Sequence, residues 1–76
     1  MKIENKRYVL SMDSPDGTVY WTKDGYFTND IREALMIGHI TSAQFLRGNL
    51  REKYKLDLDI VTLKITYEWL SKEVLT

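Results

Sequence analysis

The sequence holds no cysteine, one proline and one histidine in 76 residues. Without cysteine, neither a disulfide nor a thiolate metal site can reinforce the fold. That lack fits a reducing compartment. No apolar run approaches the ~20 residues needed to span a bilayer. The opening Met1-Lys2-Ile3-Glu4-Asn5-Lys6-Arg7 lacks the apolar stretch of a secretory signal. The expected location is cytoplasmic, with no membrane partner. Charge of one sign is also missing: Lys plus Arg and Asp plus Glu stand at 11 each. A net charge of zero weighs against nucleic acid as partner, because a backbone binder needs an excess of cations. It also leaves copies of the chain little long-range repulsion. The glycines at 17, 25, 38 and 48 are scattered, so no phosphate-cradling loop is present. Repeats, low-complexity tracts and linkers are absent.

What remains is one small domain, residues 1–76, of ordinary globular composition. A chain of this length hides only about 60% of its unfolded surface, so its core is thin. The stretch Tyr20-Trp21-Thr22-Lys23-Asp24-Gly25-Tyr26-Phe27 concentrates aromatic residues around a turn. The core is expected to form there.

Residues 1–5 are polar and read as a frayed end. Lys6 to Met12 alternates, with Tyr8, Leu10 and Met12 on one face, which is the period of a half-buried strand. Asp13-Ser14-Pro15-Asp16-Gly17 is a turn: Pro15 presets φ and Gly17 can take φ > 0. Thr18 to Thr22 returns as a strand. Lys23-Asp24-Gly25 is a second turn. With Gly25 left-handed in a three-residue loop, Thr22 pairs with Tyr26 and Trp21 with Phe27.

Asp30-Ile31-Arg32-Glu33 reads as a capping box for a first helix that ends at Gly38-His39. Thr41-Ser42-Ala43-Gln44 reads as a second box, with Ile40 and Phe45 placed as a hydrophobic staple. Ala43, Leu46, Leu50 and Tyr54 then follow at helical spacing to about Lys55. Leu58 to Trp69 is the longest strand, and its row Val61, Leu63, Ile65, Tyr67 and Trp69 reads as core-facing. Leu70 to Thr76 fits either a short helix or a tail.

This order predicts an α+β fold: a small antiparallel sheet, built from a hairpin, a short strand and a long last strand, with two helices on one face. One tension sits in the first hairpin. A short Pro15-Asp16-Gly17 loop sets Met12 opposite Tyr20, which puts Val19 and Trp21 on a different face from Leu10 and Met12. A bulge or a longer loop, pairing Met12 with Val19, would unite the two sets. Otherwise both faces are apolar, helices shield one, and the other needs a partner chain. The expectation is a symmetric homodimer through the sheet face or a strand edge.

Candidate chemistry is sparse. His39 has no cysteine to activate and reads as a polar loop residue. Asp13 with Asp16, and Asp57 with Asp59, lack the spacing of a calcium loop. No catalytic, cofactor-binding or metal residue is assigned, and the chain reads as a non-enzyme. Arg47, Arg51 and Lys55 recur every four residues as a basic stripe, which suits an acidic protein or phosphates but is more often a solvated helix face. Tyr20 and Tyr26 fall on the outward face of their hairpin and are candidate protein-binding anchors.

The run from Tyr20 to Ala34, with its Gly25-Tyr26-Phe27-Thr28-Asn29-Asp30-Ile31 segment, followed by the alternating strand Ile60 to Glu68, resembles small uncharacterised accessory proteins of bacteriophages and prophages in Gram-positive bacteria. The resemblance covers about half the chain and carries over no functional residue. It implies a phage or mobile-element origin and a non-enzymatic binder of a host or defence protein. The function expected is a small protein-binding module, with a nucleic-acid-binding accessory protein as the alternative.

Overall fold

A computed structural model of the chain describes residues 2–68 and 70. The fold is α+β, with four antiparallel strands in the order β3-β2-β1-β4. They are β1 (Lys2–Ser14), β2 (Gly17–Trp21), β3 (Phe27–Thr28) and β4 (Asp59–Glu68). Among the described residues one helix, α1 (Ile40–Tyr54), packs on the sheet, and a single 3-10 turn covers Ile31–Glu33. The pair of helices expected on one face is therefore corrected to one.

The hairpins fix the register. Ser14 pairs with Gly17 across a two-residue Pro15-Asp16 loop, which sets Met12 opposite Val19 and Ser11 opposite Tyr20. The loop is one residue shorter than the Pro15-Asp16-Gly17 loop expected, not longer. Pro15 forbids the positive φ that primed hairpin turns need, and the positive φ falls instead on Gly17, the first residue after the loop, at φ 121°. Leu10, Met12, Val19 and Trp21 thereby fall on one face, which resolves the tension between the two apolar sets. In the second hairpin, Trp21 pairs with Phe27, the Thr22 amide donates to the Tyr26 carbonyl at 3.0 Å, and Gly25 takes φ 86°, as the three-residue loop requires.

The core lies between that face and α1. Leu10, Leu50 and Leu58 are buried together, with Met12, Trp21, Phe27, Ile37, Leu46, Leu56 and Ile60 packed against them. Trp21 meets Phe27 edge to face, with ring centroids 5.3 Å apart.

The segment expected as the first helix does other work. The Asp30 carboxylate accepts from the Arg32 amide at 2.9 Å, whereas the Glu33 amide donates to the Asp30 backbone carbonyl at 3.0 Å. Glu33 does not reach back to the cap but takes a hydrogen bond from the Thr28 hydroxyl at 3.1 Å. Only three residues turn before Ala34 becomes extended, with ψ 148°. The cause is tertiary. β2 parts from β1 after Tyr20, and residues 35–37 fill the gap. The Leu35 amide donates to the Trp21 carbonyl (2.9 Å), and Ile37 exchanges two backbone bonds with Tyr8 (2.8 and 2.9 Å). These bonds satisfy groups that a marginal eight-residue helix would have to satisfy alone.

α1 starts one residue before the expected capping box. Its N-cap is His39, which makes no side-chain cap bond, so Thr41 lies inside the first turn. The staple is lost with the shift of the cap: Ile40 is now the first helical residue and no longer precedes the N-cap, and Phe45 is 73% exposed. The C-terminus lies where the spacing put it, with Lys55 left-handed at φ 58° and its amide bonded to the Arg51 carbonyl.

Two strand readings change. Residues 2–5 are part of β1 and pair with Ile65 to Glu68, so the expected frayed end is ordered. On β4 the core-packed residue is Ile60, so Val61, Leu63, Ile65 and Tyr67 lie on the face away from α1. Trp69, and the segment read as either a helix or a tail apart from the exposed Leu70, lie outside the described residues.

Candidate protein-contact surface

The β1–β4 pairing runs unbroken from Lys2·Glu68 to Ser11·Asp59. Only the end near Leu10 and Ile60 packs into the core. The remainder forms a two-stranded arm, and the molecule measures 57 × 28 × 19 Å. Directly opposed residues share a face. One face of the arm is polar: Glu4, Lys6, Thr62, Lys64 and Thr66 line it, and Lys64 is ion-paired with Glu4 at 3.2 Å. The other face carries the apolar β4 row Val61, Leu63, Ile65 and Tyr67, with Ile3, Asn5 and Arg7 of β1 opposite Tyr67, Ile65 and Leu63. Val61, Leu63 and Ile65 are half-buried, while Ile3 is 46% and Tyr67 61% exposed.

At its base this apolar row runs into a closed region. Val9 and Ser11 are buried on the same face. The 3-10 turn crosses on that side, because Thr28, which projects there opposite Tyr20, holds both the Asp30 amide and the Glu33 carboxylate. The sheet is thus covered near its centre by α1 on one face and by a turn on the other, and the arm extends beyond both.

Tyr20 and Tyr26 lie on the same face as the apolar row, since Trp21 and Phe27 occupy the helix side. Tyr20 is half-buried and Tyr26 is 52% exposed. Arg47, Arg51 and Lys55 sit on α1, on the opposite face of the sheet, and are exposed. The structure therefore does not gather the five candidate residues into one site. Arg47 and Arg51 share an open depression of about 340 Å³ with Asp57 and Asp59. Arg51 and Lys55 share a second, of about 460 Å³, with Glu52 and Asp57. An anion in either would meet carboxylates as well as cations.

On the same side, Trp21, Leu46, Asn49, Lys53 and Tyr54 border a shallow groove of about 650 Å³, with the Lys53 ammonium 5.2 Å from the centre of the Tyr54 ring. His39 is an exposed N-cap whose carbonyl accepts from the Ala43 amide. Among the described residues no three His, Asp or Glu side chains are grouped to hold a metal, and no helix is long and apolar enough to cross a membrane. One carboxylate stands apart electrostatically. The Arg32 guanidinium, and then the Arg32 amide, hold the Asp30 carboxyl below the ordinary aspartate range.

The arm face is what the sequence reading missed. The alternation of β4 alone places its residues in the core, and the polar start of the chain places Ile3 in a frayed end. Residues 4–7 are all polar, so no alternation marks the start of β1, and the signal that could have found it is the length of the last strand, which needs a partner of its own length. Comparison with protein-family models, with curated proteins and with solved structures gives no match for the chain.

Proposed function

We propose that the chain is a small non-enzymatic protein-binding module that contacts its partner through the sheet face away from α1. The observation that carries this reading is the apolar row Ile3, Leu63, Ile65 and Tyr67 on an arm that reaches beyond the core. Large apolar side chains in one row, with Tyr67 near its end, have the composition of interface anchors. Tyr20 and Tyr26 extend the same face. In biological terms the proposal is a modulator or inhibitor encoded by a phage, acting by occlusion of a host or defence protein in the cytoplasm.

The alternating faces of the arm provide the test. Ile65→Glu charges the apolar face, whereas Thr66→Glu, one residue on, charges the polar face. In pull-downs from bacterial lysate, a partner held by wild type and by Thr66→Glu is expected to be lost with Ile65→Glu. Retention by Ile65→Glu would reject the apolar face as the contact.

The basic stripe supports a second reading, a nucleic-acid-binding accessory protein, because Arg47, Arg51 and Lys55 border adjoining depressions. Asp57 and Asp59 in the same depressions, and the zero net charge, weigh against it. Retention on DNA or RNA that falls steeply with salt, and that is lost with Arg47→Ala and Arg51→Ala together, would put this reading first.

A further inference from the structure

β4 is the outer strand of the sheet, and among the described residues no chain pairs with its far edge. Which of its backbone groups face that edge follows from β1. Tyr8 exchanges both of its backbone bonds with Ile37, on the side away from β4. Bonded and non-bonded pairs alternate along an antiparallel ladder. Tyr8·Thr62 is therefore a non-bonded pair, and Val9·Val61, Arg7·Leu63, Asn5·Ile65 and Ile3·Tyr67 carry the ladder bonds. The even residues Ile60, Thr62, Lys64, Thr66 and Glu68 must then direct their N–H and C=O groups outward.

Outer strands of monomers are normally blunted by proline, a bulge or repeated lysine. β4 has no proline, its register with β1 is unbroken, and its one lysine is tied to Glu4. We propose that β4 pairs antiparallel with β4 of a second copy of this chain, with the two-fold axis at Leu63. The two sheets then become one. This contact is made by the strand edge, and it is independent of whether the apolar face binds a foreign protein.

The register follows from face and charge. Residues opposed across the new ladder share a face, so only pairings of odd with odd keep the apolar row continuous. Centring on Lys64 would oppose two ammonium groups. Centring on Leu63 sets Ile65 beside Val61, Lys64 beside Thr62 and Tyr67 beside Asp59, with no like charges opposed. It also overlaps Asp59 to Tyr67, nearly the whole strand, and gives every outward backbone group from Ile60 to Thr66 a partner. The self-complementary edge is what a closed two-fold contact requires, and zero net charge opposes it little.

The chain has no cysteine, so one introduced thiol reports unambiguously. At the axis, Leu63 faces its own copy as a non-bonded pair, with Cα atoms about 4.5 Å apart, within disulfide range. Leu63→Cys is expected to give a disulfide-linked dimer under mild oxidation, while Thr66→Cys stays mostly monomeric. Stronger linking by Thr66→Cys would overturn the register. Sedimentation equilibrium of wild type at micromolar concentrations is expected to show a dimer; a monomer of 9.0 kDa throughout would overturn the proposal. Thr66→Pro removes one outward donor and leaves the β1 ladder intact, so it is expected to be monomeric with an unchanged circular dichroism spectrum. A folded Thr66→Pro that remains dimeric would also overturn the edge contact. Capture of a foreign partner by monomeric Thr66→Pro would separate the fate of this proposal from that of the apolar face.

Discussion

Three described residues, Gly17, Gly25 and Lys55, take positive φ, and the last two do so for opposite reasons of sequence. Gly25 at φ 86° occupies a position that excludes side chains by conformation, since a Cβ there would meet nothing within 4 Å. Gly25→Ala is expected to destabilise by about 1 kcal/mol through backbone strain alone, read as a lower urea midpoint. Lys55 at φ 58° ends α1 where glycine is the usual residue. Lys55→Gly is expected to stabilise by about 0.5–1 kcal/mol, and an unchanged midpoint would show that the αL cap is not strained. This variant also removes one cation of the basic stripe, so stability and any nucleic-acid retention can be scored on the same protein. Asp30 gives a smaller, pH-dependent effect. Its folded-state pKa is depressed, so its contribution is complete above the ordinary aspartate value and is lost as pH falls below it. Asp30→Asn is therefore expected to narrow its stability difference from wild type in acid, as urea midpoints at pH 7 and pH 3 would measure. The pair is exposed, and the effect is correspondingly small.

At the scale of elements, the first turn of α1 has the wrong residue at its cap. Thr41 has the sequence of a cap, but His39 holds the position and leaves the first amides without a side-chain acceptor. Thr41→Ala is expected to be neutral or slightly stabilising, because an exposed helix interior favours alanine. His39→Asp is expected to stabilise by about 1 kcal/mol. A loss of stability in Thr41→Ala would restore Thr41 as the cap. The second hairpin turn, α1, the long last strand and the place, though not the length, of the first turn were legible because each rests on local chemistry: glycine at positive φ, helical spacing, strict alternation. The segment 31–37 was not. Its cap signal is real and produces one turn, but the backbone bonds of Leu35 and Ile37 to Trp21 and Tyr8 depend on where β2 leaves β1. That point was set by a one-residue difference in the Pro15-Asp16 loop. Which row of β4 faces the helix is set by its own register with β1, where Ile60 lies opposite the buried Leu10, so the apolar arm could not be placed from the strand's alternation alone. Of the candidate contact residues, Tyr20 and Tyr26 could be assigned to the outer face because the second hairpin was readable. Their neighbours Leu63, Ile65 and Tyr67 could not.

For the molecule as a whole, the arm makes stability uneven. The radius of gyration is 15.9 Å, against about 11 Å for a compact domain of this length. Leu10, Leu50 and Leu58 hold the core together at one end of the β1–β4 ladder, while Ile3 and Tyr67 at the other end are exposed. Amide exchange tracks the cost of local opening, which is lowest where few apolar contacts are broken. In a monomer, protection should therefore fall along the arm, from Val61 through Leu63 and Ile65 to Tyr67, whose amides bond to β1. The even amides of Thr62, Lys64 and Thr66 point outward and should exchange freely. Pairing of β4 with a second copy changes the second set alone. Hydrogen exchange measured by NMR at low and high protein concentration separates the two states. Concentration-dependent protection of Thr62, Lys64 and Thr66 is expected, with Val61 and Leu63 protected at both concentrations. Dimerisation through the apolar face would bury side chains without supplying acceptors to those outward amides, so it would leave the even–odd contrast unchanged at every concentration.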